Sequence, residues 1–345
     1  MIIKQTPEDF QVIEKANLPI KEKGGFSYWK LKKINMTTID AIMSIARFLR
    51  FKEKYVGFAG TKDKKAVTEQ FISIRGRKKD DLIGFKNKSC SLEFAGYGDA
   101  QLSLGDLLGN EFVITVRDLE TKDIERAIGK LNNNNNNNNK NNNLNENKNN
   151  NEKNSDNSNN DSNFKFINYF GEQRFSIKNT VIGKLLLKKK YKEALMEFSE
   201  TGNYEIVALD YLKEMPNDYV GALKKIPKTV LIMYIHAYQS LLWNEYAPLI
   251  EEDEIPLLGF GTALNEKESL VINPIIKREE ISLRDFINNS FPELSLDGSL
   301  RVKPVSTKIE YEIDTDELNK EKKKMIIKFF LPKGCYATEL CKQLF

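Results

Sequence analysis

Gly57-Phe58-Ala59-Gly60-Thr61-Lys62-Asp63-Lys64-Lys65-Ala66-Val67-Thr68-Glu69-Gln70 is the densest stretch of the chain. Tyr55 to Gly60 reads as a short buried strand ending in a turn, and Phe71-Ile72-Ser73-Ile74 reads as the next strand. Between them stands one carboxylate, Asp63, among Lys62, Lys64 and Lys65. Loops that follow strands often carry function, because the scaffold fixes their origin. A positioned aspartate can act as nucleophile or base, and the three lysines attract phosphate. The stretch is not a phosphate-cradling P-loop, because two glycines leading into Lys-Ser or Lys-Thr are absent. A solvated turn rich in lysine and aspartate has the same composition, so chemistry alone leaves both readings open.

Working outward, Phe26-Ser27-Tyr28-Trp29-Lys30-Leu31-Lys32 alternates as a strand. In Thr37 to Leu49, Ile39, Ile42, Ile45, Ala46 and Leu49 share a helical face, and the threonines can cap its first amides. Glu111 to Arg117 is a further strand, and Thr121 to Leu131 a short amphipathic helix. Asn132 to Asn163 is mostly asparagine, with Leu144 its one apolar residue. That composition predicts a disordered insertion in a surface loop. From Val181 to Tyr246 the pattern is mainly helical. Glu251 to Lys277 is rich in turns, and Ile281 to Asn289 is predicted as a helix. Lys308 to Ile313 and Lys324 to Leu331 return to strands. A strand-rich start, helical middle and strand-rich end imply an α+β fold interrupted by an inserted helical domain.

Composition removes several function classes. A chain of 345 residues, 40% hydrophobic and 30% charged, can bury a sizeable core. No apolar run reaches the roughly 18 residues of a membrane span, and Met1 to Phe10 lacks a signal-peptide layout. Cys90, Cys335 and Cys341 are odd in number and scattered, which predicts a reducing, cytoplasmic setting. With no CxxC or HxxxH pair and one histidine, no metal site is expected. That histidine, His236, sits in an apolar helical stretch and is predicted to be packed rather than catalytic. The net charge is only +4, with 43 lysines to 10 arginines, so a polyanionic partner requires a local basic face.

Three further constellations stand out. Phe166 to Phe175 interleaves four aromatics with Asn168, Glu172, Gln173 and Arg174, which suits either base stacking or a packed core strand. His236 to Glu245 reads as a helix whose Tyr238, Leu241, Leu242 and Glu245 share a side, with core packing favoured. Phe329 to Leu340 runs a strand into Pro332, then Gly334 and Tyr336, a loop position where a site can form.

Taken in order, these blocks resemble the TruD family of pseudouridine synthases, which isomerise a uridine in the D-arm of transfer RNA. Lys4-Gln5-Thr6-Pro7-Glu8-Asp9-Phe10-Gln11-Val12 resembles the family's opening segment, and Gly57 to Gln70 the block with its catalytic aspartate. Asn168 to Phe175, Ala237 to Asn244 and Leu331 to Thr338 resemble its remaining signatures, with Trp243 where phenylalanine is expected. The resemblance implies a catalytic domain with a mixed, largely antiparallel sheet and flanking helices, over 1–181 plus 307–345. It implies an inserted TRUD domain at 182–306. It implies Asp63 as the catalytic carboxylate, Phe10, Asn168, Phe170 and Tyr336 as holders of the flipped nucleotide, and Lys4 as partner of Asp63. Isomerisation exchanges a C–N for a C–C bond without redox, hydrolysis or phosphate transfer, so no cofactor is expected. The expected partner is tRNA, position 13 the expected site, and a monomer the expected state. A non-catalytic RNA chaperone on the same fold, or a synthase acting on another RNA, are the competing readings.

Overall fold

A computed structural model of the chain describes residues 1–142, 161–176, 178–198 and 203–345. In chain order, β1 (Ile2–Ile3), β2 (Phe10–Lys15) and β3 (Phe26–Ile34) precede helix α1 (Thr38–Phe48). Then come β4 (Val56–Phe58), β5 (Val67–Arg75), β6 (Cys90–Gly98), β7 (Gly109–Leu119), α2 (Thr121–Asn142) and β8 (Asp161–Ile167). A helical run follows: α3 (Asn179–Leu187), α4 (Tyr191–Met196), α5 (Asn203–Glu214), α6 (Tyr219–Leu223) and α7 (Lys228–Tyr246). The remainder is β9 (Glu254–Leu257), α8 (Glu266–Glu279), β10 (Ser299–Val302), β11 (Pro304–Thr315), β12 (Lys323–Pro332) and α9 (Ala337–Leu344). The chain divides into two compact units, Met1–Lys165 with Ser306–Phe345, and Phe166–Val305. No helix among the described residues is long and apolar enough to cross a membrane.

The first, or sheet, unit is built on strands in the order β6-β3-β5-β2-β7-β12-β11-β8, with β1 beside β7 and β4 beside β5. β2 runs parallel to β5, Gln11 opposite Val67. The pairs β3–β5, β3–β6, β2–β7, β7–β12 and β11–β12 are antiparallel. The sheet is therefore mixed and largely antiparallel, in an α+β fold. Helix α1 lies on it, burying Ala41, Ile42 and Ile45 against Trp29, Leu31, Ile72 and Ile74. Each fully buried isoleucine contributes about 1.5–3 kcal/mol. Thr37 caps the helix, its Oγ1 accepting the Asp40 N–H at 3.0 Å. Thr38, the other threonine of the predicted cap, is buried and serves a different purpose.

The asparagine tract departs from expectation at both ends. Helix α2 continues to Asn142, past the predicted stop at Leu131, and β8 starts at Asp161. Buried Ile124, Ala127 and Leu131 nucleate the helix, and each added residue then gains a hydrogen bond at little further cost. Phe164 and Phe166, both buried two residues apart, set the strand alternation at the other end. The rest of the tract, 143–160, lies outside the described residues, as does the prediction of disorder there.

The second, or helical, unit is organised on α7, which buries Leu231, Tyr234, Ile235, Tyr238, Leu242, Trp243 and Tyr246. Helix α3 approaches it through Gly183, where a Cβ would lie 2.0 Å from the Tyr234 carbonyl oxygen. Two expectations fail here. The turn-rich segment 251–277 contains α8, which accommodates Pro274 inside it. Asn265 starts that helix by exchanging hydrogen bonds with Glu268, Oδ1 accepting the Glu268 N–H at 2.9 Å. The helix predicted over Ile281 to Asn289 is a single tight turn, Leu283–Phe286, because Asp285 folds back onto the Ser282 N–H at 2.7 Å.

Candidate active site

Residues 59–66 link β4 to β5 and present Asp63. The sheet beneath holds this loop by its backbone. Gln70 donates from Nε2 to the Gly60 carbonyl at 2.9 Å. Thr38 Oγ1 accepts the Lys62 N–H at 2.9 Å and donates to Gln70 Oε1 at 2.9 Å. Lys33 donates from Nζ to the Asp63 carbonyl at 2.7 Å and, at 3.4 Å, to that of Lys62. Lys33, Thr38 and Gln70 are all buried. Burial pulls the Lys33 ammonium down to about 8, with the Asp63 carboxylate opposing and the Lys62 charge assisting.

The three loop lysines part company. Lys64 and Lys65 are exposed. Lys62 turns inward, to Glu14 Oε2 at 2.7 Å and Asn110 Oδ1 at 2.8 Å, with only 6% of its side chain exposed. Glu14 in turn accepts the Phe71 N–H at 3.1 Å. Lys62, expected to meet RNA phosphate, here ties β2 and β7 to the loop through its charge.

Lys4 reaches the loop from the amino terminus and pairs with Asp63 Oδ2. Its backbone has φ +66°, a left-handed conformation that few non-glycine residues adopt and that clusters at functional sites. The Lys4 ammonium also lies 3.9 Å from the centre of the Phe10 ring. Phe10 itself is 3% exposed and meets Phe112 edge-on at 6.0 Å. Phe10, expected to help hold the flipped nucleotide, forms the floor beneath Lys4. The Asp63 side chain keeps 36% of its surface open. Tyr336, half-buried, opens α9 after a turn in which Gly334 has φ +84°. Cys341 of α9 is buried, its thiol pushed up to about 12 by desolvation against the pull of the Lys4 charge.

Asn168 and Phe170 belong to the helical unit and form a cluster of their own. Asn168 Oδ1 is buried and has no hydrogen-bond partner among the described residues, while its backbone carbonyl accepts Arg301 Nη2 at 2.8 Å. Asn244 of α7 clamps the Phe170 backbone, accepting its N–H and donating to its carbonyl, both at 2.9 Å. The Phe170 ring is buried, edge-on to Trp243 at 5.7 Å, with the Arg301 guanidinium 3.9 Å and that of Arg174 5.0 Å from its centre. Phe170, expected to stack on a base, is already enclosed by these partners. His236 faces Gln239 at 3.1 Å and burial lowers its pKa, in keeping with a packed side chain.

Sequence reasoning missed Lys33, Thr38, Glu14, Asn110, Asn244 and Arg301. One signal was present. Lys33 has the same parity along β3 as buried Trp29 and Leu31, so alternation itself demands a buried lysine there. A buried lysine requires a polar purpose.

Comparison with known proteins adds a second line. The family model described as "tRNA pseudouridine synthase D (TruD)" matches residues 1–201, 190–248 and 253–344. The tRNA pseudouridine synthase D of Aquifex aeolicus is 30% identical, over 99% of this chain and 97% of its own length. A Methanococcoides burtonii protein named "Probable tRNA pseudouridine synthase D" is 28% identical, over 99% and 92%. A crystal structure of a Methanosarcina mazei chain assigned to TruD superposes with a TM-score of 0.72 at 23% identity, covering 99% of this chain and 92% of that one. That last likeness is one of fold.

Proposed function

The chain belongs to the TruD family of tRNA pseudouridine synthases, and we propose that it modifies uridine 13 in the D-arm of tRNA, with Asp63 acting on the ribose. The enzyme is an isomerase: the C1′–N1 bond of uridine breaks and a C1′–C5 bond forms between the same two partners. What supports Asp63 is its setting. Its backbone is gripped from below by buried Lys33, and Lys4 holds Oδ2. Oδ1 is left to meet the sugar, either adding to the anomeric carbon or taking the C2′ proton.

In this reading the uridine leaves its stack, at a cost of a few kcal/mol. Aromatic stacking of about 1–3 kcal/mol per base offsets that cost, with Tyr336, Phe10 and Phe170 as the aromatic candidates. The buried, unpartnered Oδ1 of Asn168 suits the N3–H donor of uracil, because an orphaned acceptor in a dry site gains most from a donor. Lys64 and Lys65 meet phosphate. Residues 1–181 with 307–345 serve as the catalytic domain and 182–306 as the inserted TRUD domain, a division that assigns 166–181 to the catalytic domain although they pack within the helical unit. The protein works as a cytoplasmic monomer without a cofactor.

The test is to map pseudouridine in tRNA and other RNAs from cells with and without the gene, then restore wild type or Asp63→Asn. Loss confined to tRNA position 13, rescued only by wild type, is the expected result. Rescue by Asp63→Asn would end the catalytic assignment. Loss confined to another RNA would move the substrate and leave the chemistry.

A further inference from the structure

Away from the Asp63 loop, the sheet unit carries a basic face that the site does not use. Strand β5 begins beside the loop at Val67 and ends at Arg75, which at about 3.3 Å per residue separates its ends by roughly 26 Å. Two stretches meet at the far end. Residues 47–55 follow from α1, and residues 75–88 follow β5. Arg77 donates from Nη2 to the Leu49 carbonyl at 3.3 Å and sets its guanidinium 5.3 Å from the Phe51 ring. Phe48 meets Phe85 edge-on at 5.5 Å, and Asn87 donates to Ser44 Oγ at 3.0 Å. The two stretches are thus one continuous surface.

Its charge is lopsided. Residues 47–54 and 75–88 hold ten basic and three acidic side chains, an excess larger than the +4 of the whole chain. Arg50, Lys52, Lys54, Arg75, Lys78 and Lys79 are all exposed, and among the described residues no ion pair involves any of them. Of the three acids, Asp81 is engaged with the Lys78 N–H at 2.8 Å. On the adjoining strand β6 and just beyond it lie Glu93 and Asp99, and Asp99 is paired with Lys21. Elsewhere in the unit a number of basic side chains are matched, as Lys15 is with Glu111, Lys30 with Glu69 and Lys324 with Glu317. Unmatched cations at this density repel one another and favour a polyanion that neutralises several at once. Phe51 and Tyr55, stacked at 5.9 Å, lie among them. Basic groups interleaved with partly exposed aromatics suit nucleic acid better than an acidic protein segment.

We propose that this face is a second RNA-docking surface, gripping the phosphate backbone of the substrate about 26 Å from the reacting uridine. The proposal rests on the tRNA reading above and deepens it. Twenty-six ångströms is about eight steps of a duplex strand at roughly 3.4 Å each. An isolated short stem-loop seated at Asp63 does not reach that far, whereas a folded tRNA does. The face therefore selects for the whole molecule over its D-arm alone.

The test uses full-length protein carrying Arg50→Glu, Lys52→Glu and Lys78→Glu together, and a milder set with Gln at the same positions. Filter binding over a salt series and single-turnover rates are measured on full-length tRNA and on a D-arm stem-loop. For tRNA, the Glu set should raise Kd about 10- to 100-fold and lower the salt slope by about 2–3, since each lost phosphate contact removes about 0.7–0.9. The Gln set should fall between it and wild type. The rate at saturating protein should not change, nor should binding of the stem-loop. An unchanged tRNA Kd and slope would overturn the proposal and leave an acidic protein as the partner of the face. Equal weakening on both RNAs would overturn it too, by showing a diffuse field in place of a distal grip. Wild-type protein that binds tRNA normally yet forms no pseudouridine would count against the catalytic reading alone.

Discussion

Arg117 and Lys33 are both buried cations of the sheet unit, and they are held in opposite ways. Arg117, on β7, donates Nε to Asp9 at 2.8 Å, Nη1 to Asp316 at 2.8 Å and Nη2 to Glu317 at 2.9 Å. It ties the amino-terminal segment to the loop between β11 and β12. Burial would raise the Asp316 carboxyl, but the N–H groups of Asp118 and Leu318, with Asn319 and Arg117, hold it down at about 2. Among the described residues, no carboxylate is hydrogen-bonded to Lys33. Its ammonium meets two carbonyls below Asp63, and its pKa falls to about 8. A cation surrounded by anions reports structural purpose. A cation kept short of them, under a loop that carries the candidate catalytic group, reports stability given up for position.

The largest effect that bears on this contrast is the loss of the group Lys33 supports. Asp63→Asn should cut pseudouridine formation by about 10⁴-fold, the scale of removing a catalytic side chain, with the melting temperature within a few degrees of wild type. A variant retaining a tenth of the activity would remove Lys33's reason for burial.

Arg117→Met should do the reverse. It strands Asp9 and Asp316 in the interior, which costs about 3–5 kcal/mol. Denaturant melts should show that loss, while the rate per folded molecule stays near that of wild type. A stability change under 1 kcal/mol would mean the cluster is hydrated and the contrast false.

Lys33→Met comes next. Relief of the buried charge offsets lost hydrogen bonds of about 1.5–3 kcal/mol, so stability should move by about 1 kcal/mol or less. The single-turnover rate should fall roughly tenfold as the loop relaxes, with tRNA affinity unchanged. If stability fell as far as in Arg117→Met, Lys33 would be a structural cation as well.

The smallest and sharpest effect is in pH. The folded Lys33 pKa, about 8, lies below its ordinary 10.5, so between those values the unfolded chain binds more protons and stability rises with pH. Wild type should gain on Lys33→Met in melts taken from pH 8 to 10. Asp316 works at the other limb. Its folded pKa, about 2, lies below its ordinary 3.8, so its contribution is complete above about 4 and is lost as pH falls toward 2. Arg117→Met should show a shallower acid limb than wild type. Parallel curves for all three proteins would dissolve the comparison.

What the sequence determined by itself was the carboxylate loop between two strands, the α1 face at Ile42 and Ile45, the packed character of α7 and the order of the family blocks. These are properties of residues close together along the chain, where a period of two or 3.6 states which side must be buried. Tertiary structure alone decided which lysine of the loop faces inward, since Lys62 turns toward Glu14 on β2 and Asn110 on β7. It alone placed Lys33 under Asp63, enclosed Phe10 beneath Lys4 and Phe170 against Trp243 and Arg301, and carried a helix through Pro274. The partners in each contact are far apart in sequence, as are Asp9, Arg117 and Asp316. A buried charge is satisfied by whatever the sheet order sets beside it, and no local pattern encodes that order.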